Sequence, residues 1–274
     1  MTICANCVSG HVLPGDPTGS TDPASGCYLA LRNPAIAGRA DANKTAIVLL
    51  TDIIGLRLKN AKLLADRFAQ SYLMAYPRLI PPPGHPPVRL IDDEANLRKF
   101  IPDEPGAKFS LWNRFQFLFL ILRCAPGLWK TRPSIGRERV QAFIRDLKEN
   151  KGYEKIGVIG YCYGGGIAIK LAMQKGMVDA VVSCHPGPVW LDDFPRVVVP
   201  FALFCPEEDE WLSPAKRDRA EAALKVLKNV PTKVQTFSGT VHGFCCRPAL
   251  GIPKVQTAFE GAFEEGVAWF QTHL

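Results

Sequence analysis

The fold of this chain is decided by one stretch, KIGVIGYCYGGG at residues 155–166. Ile156 to Ile159 form a short, continuous apolar run, which predicts a strand buried on both faces. A G-x-C-x-G turn with Cys162 at its centre follows, and helical spacing begins at Gly164. Gly160 and Gly164 lack the Cβ atoms that would collide in so sharp a turn. The stretch therefore predicts a strand, a tight turn that presents Cys162 above the sheet, and a helix.

Outside this stretch, strand and helix patterns alternate along the chain. Further strands are predicted at Ala46 to Leu50, Tyr72 to Tyr76, Val178 to Ser183, Phe201 to Phe204 and Lys233 to Phe237. Helices are predicted at Leu58 to Phe68, Val140 to Leu147, Gly164 to Lys175, Ala215 to Leu227 and Thr257 to Phe270, and a loop at Pro77 to Pro87. This alternation predicts an α/β fold with a mostly parallel central sheet and helices on both faces. We expect one domain over residues 1–274, with ligands beyond the carboxyl ends of the strands.

Composition and charge exclude several classes of function. The chain has 274 residues, 47% hydrophobic and 22% charged, which is typical of a globular protein. The formal charge of +7 comes from basic residues scattered at helical spacing, so no nucleic-acid partner is expected. The apolar run from Phe115 to Leu122 is too short to span a membrane. We expect a small-molecule substrate and a monomer or homodimer.

The nine cysteines are interpreted as reduced thiols of a cytoplasmic protein, because their number is odd and no secretory signal precedes them. Cys4 and Cys7 form a C-x-x-C pair, but a zinc site would need a second pair or a Cys/His partner at matching spacing. A redox pair would need a strand before it and a helix after it. Neither is evident, so the pair is interpreted as structural or incidental, and no metal or cofactor is expected.

The G-x-C-x-G turn has the form of the nucleophile elbow of α/β-hydrolases, which usually carry serine at its centre. The start of the following helix favours a thiolate at Cys162, and the amide of Tyr163 is placed to donate to an oxyanion. The alternative is that Cys162 is a small core residue in a glycine-rich turn.

The partners of Cys162 follow from the order nucleophile, acid, histidine. Of the histidines after Cys162, His242 stands between the last strand and the last helix, where this order requires the base. The acid lies in the loop Glu207 to Glu210, and its position after the strand favours Asp209, with Glu208 second. His185 precedes every candidate acid and is assigned to the pocket.

Four motifs resemble those of one known family. Gly160 to Gly165 is similar to the G-Y-C-x-G-G elbow of the dienelactone hydrolases, or carboxymethylenebutenolidases. Glu208-Asp209 resembles that family's acid loop, His242-Gly243-Phe244 its H-G-F signature, and Thr51 to Gly55 its segment after the first strand. The likeness runs from about Ala46 to the C-terminus, and Cys4 to Gly10 looks like fungal members.

The resemblance implies a mechanism and a substrate class. Cys162 would attack a small unsaturated lactone, the amides of Tyr163 and Ile53 would hold the oxyanion, and His242 would activate water against the thioester. Asp52 matches the carboxylate that pairs with the resting thiol, although bacterial members more often have glutamate there. A broader carboxylesterase or thioesterase is the alternative, while three filled triad positions argue against a non-catalytic protein.

Recognition of the substrate is assigned to four side chains and one segment. The side chains are Arg78, Arg114, Tyr161 and His185. An insertion around 105–130, rich in aromatic residues from Phe109 to Trp129, is interpreted as a lid or pocket wall, with a buried helix as the alternative.

Overall fold

The computed structural model describes residues 5–23, 25–30, 44–71, 74–77, 105–106, 110–130 and 132–274. The strands are β1 (Ser20–Thr21), β2 (Tyr28–Leu29), β3 (Thr45–Leu50), β4 (Met74–Pro77), β5 (Lys155–Tyr161), β6 (Ala180–Cys184), β7 (Phe201–Glu208) and β8 (Thr232–Val241). The α-helices are α1 (Lys59–Ser71), α2 (Leu111–Lys130), α3 (Pro133–Glu149), α4 (Tyr163–Ala172), α5 (Pro214–Lys225) and α6 (Pro253–His273). Short 3-10 helices cover Ala5–Val8, Gly55–Arg57 and Leu191–Arg196.

Six of these strands form the central sheet, in the order β4-β3-β5-β6-β7-β8. Every described pairing in it is parallel, so the predicted α/β class is confirmed. The predicted strands and helices are also found, but several are longer than predicted, and the helix predicted from Val140 begins at Pro133. Residues 72–73 of one predicted strand, and 78–87 of the predicted loop, lie outside the described residues.

The core has two layers because parallel strands bury both of their faces. Ala46, Val48 and Leu50 of β3 pack on one side with α3 and α4 residues such as Ile144. Ile47 on the opposite side joins the cluster that α1 and α6 complete. The period of two along each strand therefore divides one apolar run between two hydrophobic layers.

The carboxyl ends of five neighbouring strands carry the polar residues of interest. Asp52, Cys162, His185, Asp209 and His242 come within two residues of the ends of β3, β5, β6, β7 and β8. All five side chains are buried. Strands that run in one direction thus bring residues from distant parts of the chain to one edge.

The helix α2 corrects one alternative from the sequence. Trp112, Phe115 and Phe119 are 70%, 73% and 68% exposed, so a buried helix is wrong for these side chains. Phe117 packs on the core and holds that turn of the helix against the body. Among the helices of the described residues, none has the length and apolar character needed to cross a membrane.

Candidate active site

The turn after β5 has the geometry of a strained elbow. Cys162 adopts φ 51° and ψ −112°, a conformation that costs free energy for a residue with a Cβ. A Cβ on Gly160 would lie 2.3 Å from the carbonyl oxygen of Gly164, and one on Gly164 would lie 2.3 Å from that of Leu50. The turn therefore requires both glycines, and it sets Cys162 at the start of α4.

Asp209 and His242 are brought together by the register of β7 and β8. Glu208 pairs with Val241 after a register shift at Pro206, so the next residue of each strand lies beside the other. His242 Nδ1 lies 2.8 Å from Asp209 Oδ2. The backbone N–H groups of Trp211 and Leu212 donate to Asp209 Oδ1, at 2.7 and 3.3 Å. The carboxylate is thus fixed from both sides and keeps His242 Nδ1 protonated.

The other acids of this loop have different partners. Glu208, the second choice from the sequence, accepts a hydrogen bond from the backbone N–H of Gly106 at 2.9 Å. Glu207 accepts one from Gly239 at 2.6 Å. Glu210 is exposed, although partial desolvation raises the pKa of its carboxyl. The histidine contact in this loop is therefore made by Asp209.

A residue that sequence reasoning did not assign lies between the expected nucleophile and base. Cys7 Sγ is 3.7 Å from Cys162 Sγ, whose thiol donates to it, and 3.6 Å from His242 Nε2. The C-x-x-C spacing drew attention to Cys7, but nothing in the sequence pairs residue 7 with residues 162 and 242. These three side chains are buried, and their donor atoms lie within 4.8 Å of one another, so they could also hold a metal ion.

The contacts of these groups raise the pKa values of both Cys162 and His242. The hydrogen bond to Cys7, followed by burial, raises the pKa of Cys162 well above its ordinary value. This shift opposes the thiolate that the start of α4 would favour. Burial lowers the pKa of His242, but the Asp209 carboxylate and Cys7 outweigh burial and raise it to about 10.

Asp52 makes different contacts from those that the resemblance implied. Its Oδ2 lies 2.8 Å from Arg247 Nε, an ion pair by distance although the N–H is not aimed at the oxygen. Its Oδ1 accepts the backbone N–H groups of Ile54 and Gly55 at 2.9 and 3.2 Å. In the described part of the chain, the hydrogen bond of the Cys162 thiol goes to Cys7 and not to Asp52. The Asp52 carboxylate is therefore paired with the buried guanidinium of Arg247.

Arg247 also ties the N-terminal segment to the sheet edge. It donates from Nη1 to the carbonyl oxygen of Ser9 and from Nη2 to that of Asn6, the latter at 3.3 Å. Its side chain is fully buried beside Asp52. These contacts hold the residues on either side of Cys7, so Arg247 helps to position Cys7 over Cys162.

His185 lies in the site, whereas Tyr161 packs in the core beside it. His185 is fully buried, its ring centroid lies 4.9 Å from that of His242, and burial lowers its pKa. Its Nδ1 is buried, and no hydrogen-bond partner for it is found in the described part of the chain. Tyr161 packs in the second core layer, where burial raises its pKa. His185 therefore stays neutral against His242, whereas Tyr161 lies among core residues.

Comparison with known proteins identifies the family. A model described as "Dienelactone hydrolase family" matches residues 121–274, which is more than half of the chain and includes the elbow and its partners. The chain belongs to the dienelactone hydrolase family. It is thus a carboxylic ester hydrolase.

Two relatives and one solved structure illustrate the likeness. "Hydrolase pyvD" of Aspergillus violaceofuscus is 30% identical over 230 residues, covering 84% of this chain and 81% of that protein. "Dienlactone hydrolase 1" of Gibberella moniliformis is 25% identical, covering 98% and 93%. The crystal structure of a dienelactone hydrolase from Anabaena variabilis has a TM-score of 0.57 at 17% identity, covering 95% and 100%. This structure shares the α/β-hydrolase fold.

The remaining residues that the sequence assigned to the oxyanion and the substrate lie in different parts of the dienelactone hydrolase fold. Tyr163 is the first residue of α4, where amides point out of the helix end, and Ile53 lies between Asp52 and the 3-10 helix Gly55–Arg57. Arg114 is exposed on α2. Arg78 lies outside the described residues.

Replacing Arg247 by methionine is expected to lower the free energy of unfolding by about 3–5 kcal/mol, because the change leaves Asp52 as a buried charge without its partner. Chemical denaturation measures the change in midpoint. Lys225→Met is the matched control, since Lys225 pairs with Glu221 on the surface and should cost under about 1 kcal/mol. An equal loss of unfolding free energy in the two variants would show that the buried pair stabilises the fold no more than the surface pair does.

Proposed function

We propose that this dienelactone hydrolase relative opens small unsaturated lactones through a thioester on Cys162, with His242 as base and Asp209 as the acid that orients it. The observation that carries the proposal is the 2.8 Å contact of Asp209 with His242 Nδ1, which leaves Nε2 directed at the thiols. The elbow at Cys162 supports the same assignment.

The reaction proceeds in two stages. The Cys162 sulfur attacks the lactone carbonyl carbon as its proton passes to His242, and the ring C–O bond breaks to expel an enolate. The amides of Tyr163 and Ile53 stabilise the oxyanion. His242 gives the proton from Cys162 to the enolate, which frees its Nε2 to take a proton from water as the hydroxide attacks the thioester carbon. The C–S bond then breaks, and Cys162 leaves as the thiol with the proton that His242 returns to its sulfur.

Cys7 restrains this reaction in the resting enzyme, because its sulfur lies between the nucleophile and the base. The substrate therefore has to displace Cys7 before Cys162 can pass its proton to His242. The resting thiol of this chain is held by a second thiol, where the resemblance implied a carboxylate.

Cys7→Ala is expected to raise kcat/KM for an aryl ester by about tenfold, the gain when an attack-competent state populated at about a tenth becomes dominant. Alkylation of Cys162, followed by peptide mapping, should accelerate by a similar factor. Cys205→Ala is the control, because Cys205 is a buried cysteine in β7. A slower Cys7→Ala enzyme with an intact fold would instead make Cys7 a proton carrier.

A broader carboxylesterase or thioesterase is the second candidate, and one observation favours it. Arg247, the buried arginine of this site, is already paired with Asp52 and two carbonyl groups. It is therefore not free to bind the carboxylate of a charged lactone.

The test compares a carboxylated lactone with its methyl ester. Specific recognition of the carboxylate should give the acid a kcat/KM at least about tenfold higher, as expected for a charge-assisted pair. Equal values would favour the general esterase. Arg114→Met and Arg78→Met then show which guanidinium is responsible, since only its loss should remove the difference without slowing the ester.

A further inference from the structure

The donor atoms of Cys7, Cys162 and His242 have the spacing of metal ligands. With Zn–S near 2.3 Å and Zn–N near 2.05 Å, a tetrahedral ion sets its ligands about 3.8 Å apart for two sulfurs and about 3.6 Å apart for sulfur and nitrogen. The two sulfurs lie 3.7 Å apart, and Cys7 Sγ lies 3.6 Å from His242 Nε2. The third separation, from Cys162 Sγ to His242 Nε2, is within 4.8 Å, so a single ion can contact all three atoms once their side chains close around it.

The hydrogen-bond partner of His242 is also one that zinc-bound histidines commonly have. Zinc-bound histidines commonly donate their other ring N–H to a carboxylate, which fixes the ring and makes its free nitrogen a better donor. Asp209 Oδ2 lies 2.8 Å from Nδ1, so Nε2 is the ring nitrogen that faces the thiols and would bind the metal. The backbone amides of Trp211 and Leu212 in turn orient Asp209.

Charge and anchoring favour binding at this place. Two thiolates cancel the charge of a divalent ion, so the occupied site can be buried without a net charge from these ligands. Arg247 holds the segment that carries Cys7 through the carbonyl oxygens of Asn6 and Ser9. Cys7 is therefore held beside Cys162 and His242 by contacts of its own segment.

We infer that Cys7, Cys162 and His242 form a zinc site that switches the enzyme off when occupied. Binding releases the two thiol protons and, since the raised pKa of His242 leaves its ring protonated near neutral pH, the proton of Nε2 as well. Zn²⁺ and two thiolates then give a neutral Zn–(S)₂ unit ligated by His242 Nε2, and one coordination position stays open to water. The switch rests on the proposed function, because it acts by engaging the nucleophile and the base together. The metal site itself does not depend on it.

Metal binding is tested without any substrate. The metal-free protein, reduced with a phosphine, is titrated with Co²⁺ and then with Zn²⁺. The expected result is one ion per chain, with the visible absorption of tetrahedral thiolate-bound cobalt and its loss when zinc displaces it. Cys7→Ala, Cys162→Ala and His242→Gln should each weaken binding by at least about 100-fold, and Asp209→Asn by about 10–100-fold. Cys205→Ala should bind as the parent does.

Activity is measured separately, with inhibition by Zn²⁺ compared with each variant's own uninhibited rate. Cys7→Ala should need at least about 100-fold more zinc for half-inhibition than Cys205→Ala. Circular dichroism establishes that each variant is folded. Absent cobalt spectra in folded parent protein, or equal binding by Cys7→Ala and parent, would overturn the site. If metal binds but Cys162→Ala still hydrolyses ester, the zinc site stands and the proposed nucleophile fails.

Discussion

Cys162→Ala is expected to lower kcat for ester hydrolysis by at least about 10⁴-fold while the protein stays folded. Loss of the nucleophile from a catalytic triad removes covalent catalysis and leaves only binding and the oxyanion donors. Alanine fits the site because it is smaller and Cys162 is fully enclosed. The measurement is kcat with a chromogenic aryl ester, with circular dichroism as the check on folding.

Cys205→Ala provides the matched control, since both cysteines are buried at the sheet but Cys205 does not contact His242 among the described residues. It should retain activity within a few-fold of the parent. Rapid quenching of the parent during turnover should leave the acyl group on the peptide that contains Cys162. Turnover by folded Cys162→Ala near the parent rate would remove the nucleophile assignment.

The second large effect is expected at Asp209. Asp209→Asn should lower kcat by about 10⁴-fold, the loss seen when an amide replaces the triad acid and leaves the histidine in the wrong tautomer. The amide oxygen can still accept from Trp211 and Leu212, but its NH₂ group cannot accept from His242 Nδ1. The local fold therefore stays while the histidine loses its orientation.

The neighbouring acid is the control for this change. Glu208→Gln alters the same loop, but its carboxylate bonds to the backbone of Gly106 and not to a histidine. Its kcat should stay within about threefold of the parent, as for a surface substitution away from the reacting groups. A crippled Glu208→Gln enzyme together with an active Asp209→Asn enzyme would move the acid by one residue.

The contact with Cys7 also affects the reactivity of Cys162 in the resting enzyme. The resting thiol of Cys162 donates to Cys7, and the raised pKa of Cys162 follows from that bond and from burial. Alkylation of the parent enzyme should therefore be slow at Cys162, despite its place at the start of α4. The position of Cys162 at the start of α4 would by itself predict fast alkylation. That expectation omits the hydrogen bond to Cys7, which comes from a distant segment of the chain.

Local sequence determined the framework of this site. Continuous apolar runs such as Ile156 to Ile159 favour strands buried on both faces, and their alternation with helical patterns predicted a parallel sheet, so the fold class followed from pattern. Gly160 and Gly164 are required by backbone contacts as close as 2.3 Å, and this requirement can be read from the turn itself. The carboxyl ends of the strands then indicated where Cys162 and His242 lie.

Only the tertiary structure decided which side chains meet at this edge. Asp209 lies beside His242 because of a register shift between β7 and β8, and no local pattern distinguishes that shift from the pairing that would favour Glu208. Cys7 contacts residues 155 and 235 positions away, and Arg247 contacts the carbonyl of Ser9 from 238 positions away. Such contacts depend on how distant segments pack, because no spacing along the sequence marks which thiol or guanidinium will reach them. The sequence therefore indicated Cys162 and His242 as the candidate nucleophile and base, whereas the position of Cys7 between them depends on packing alone.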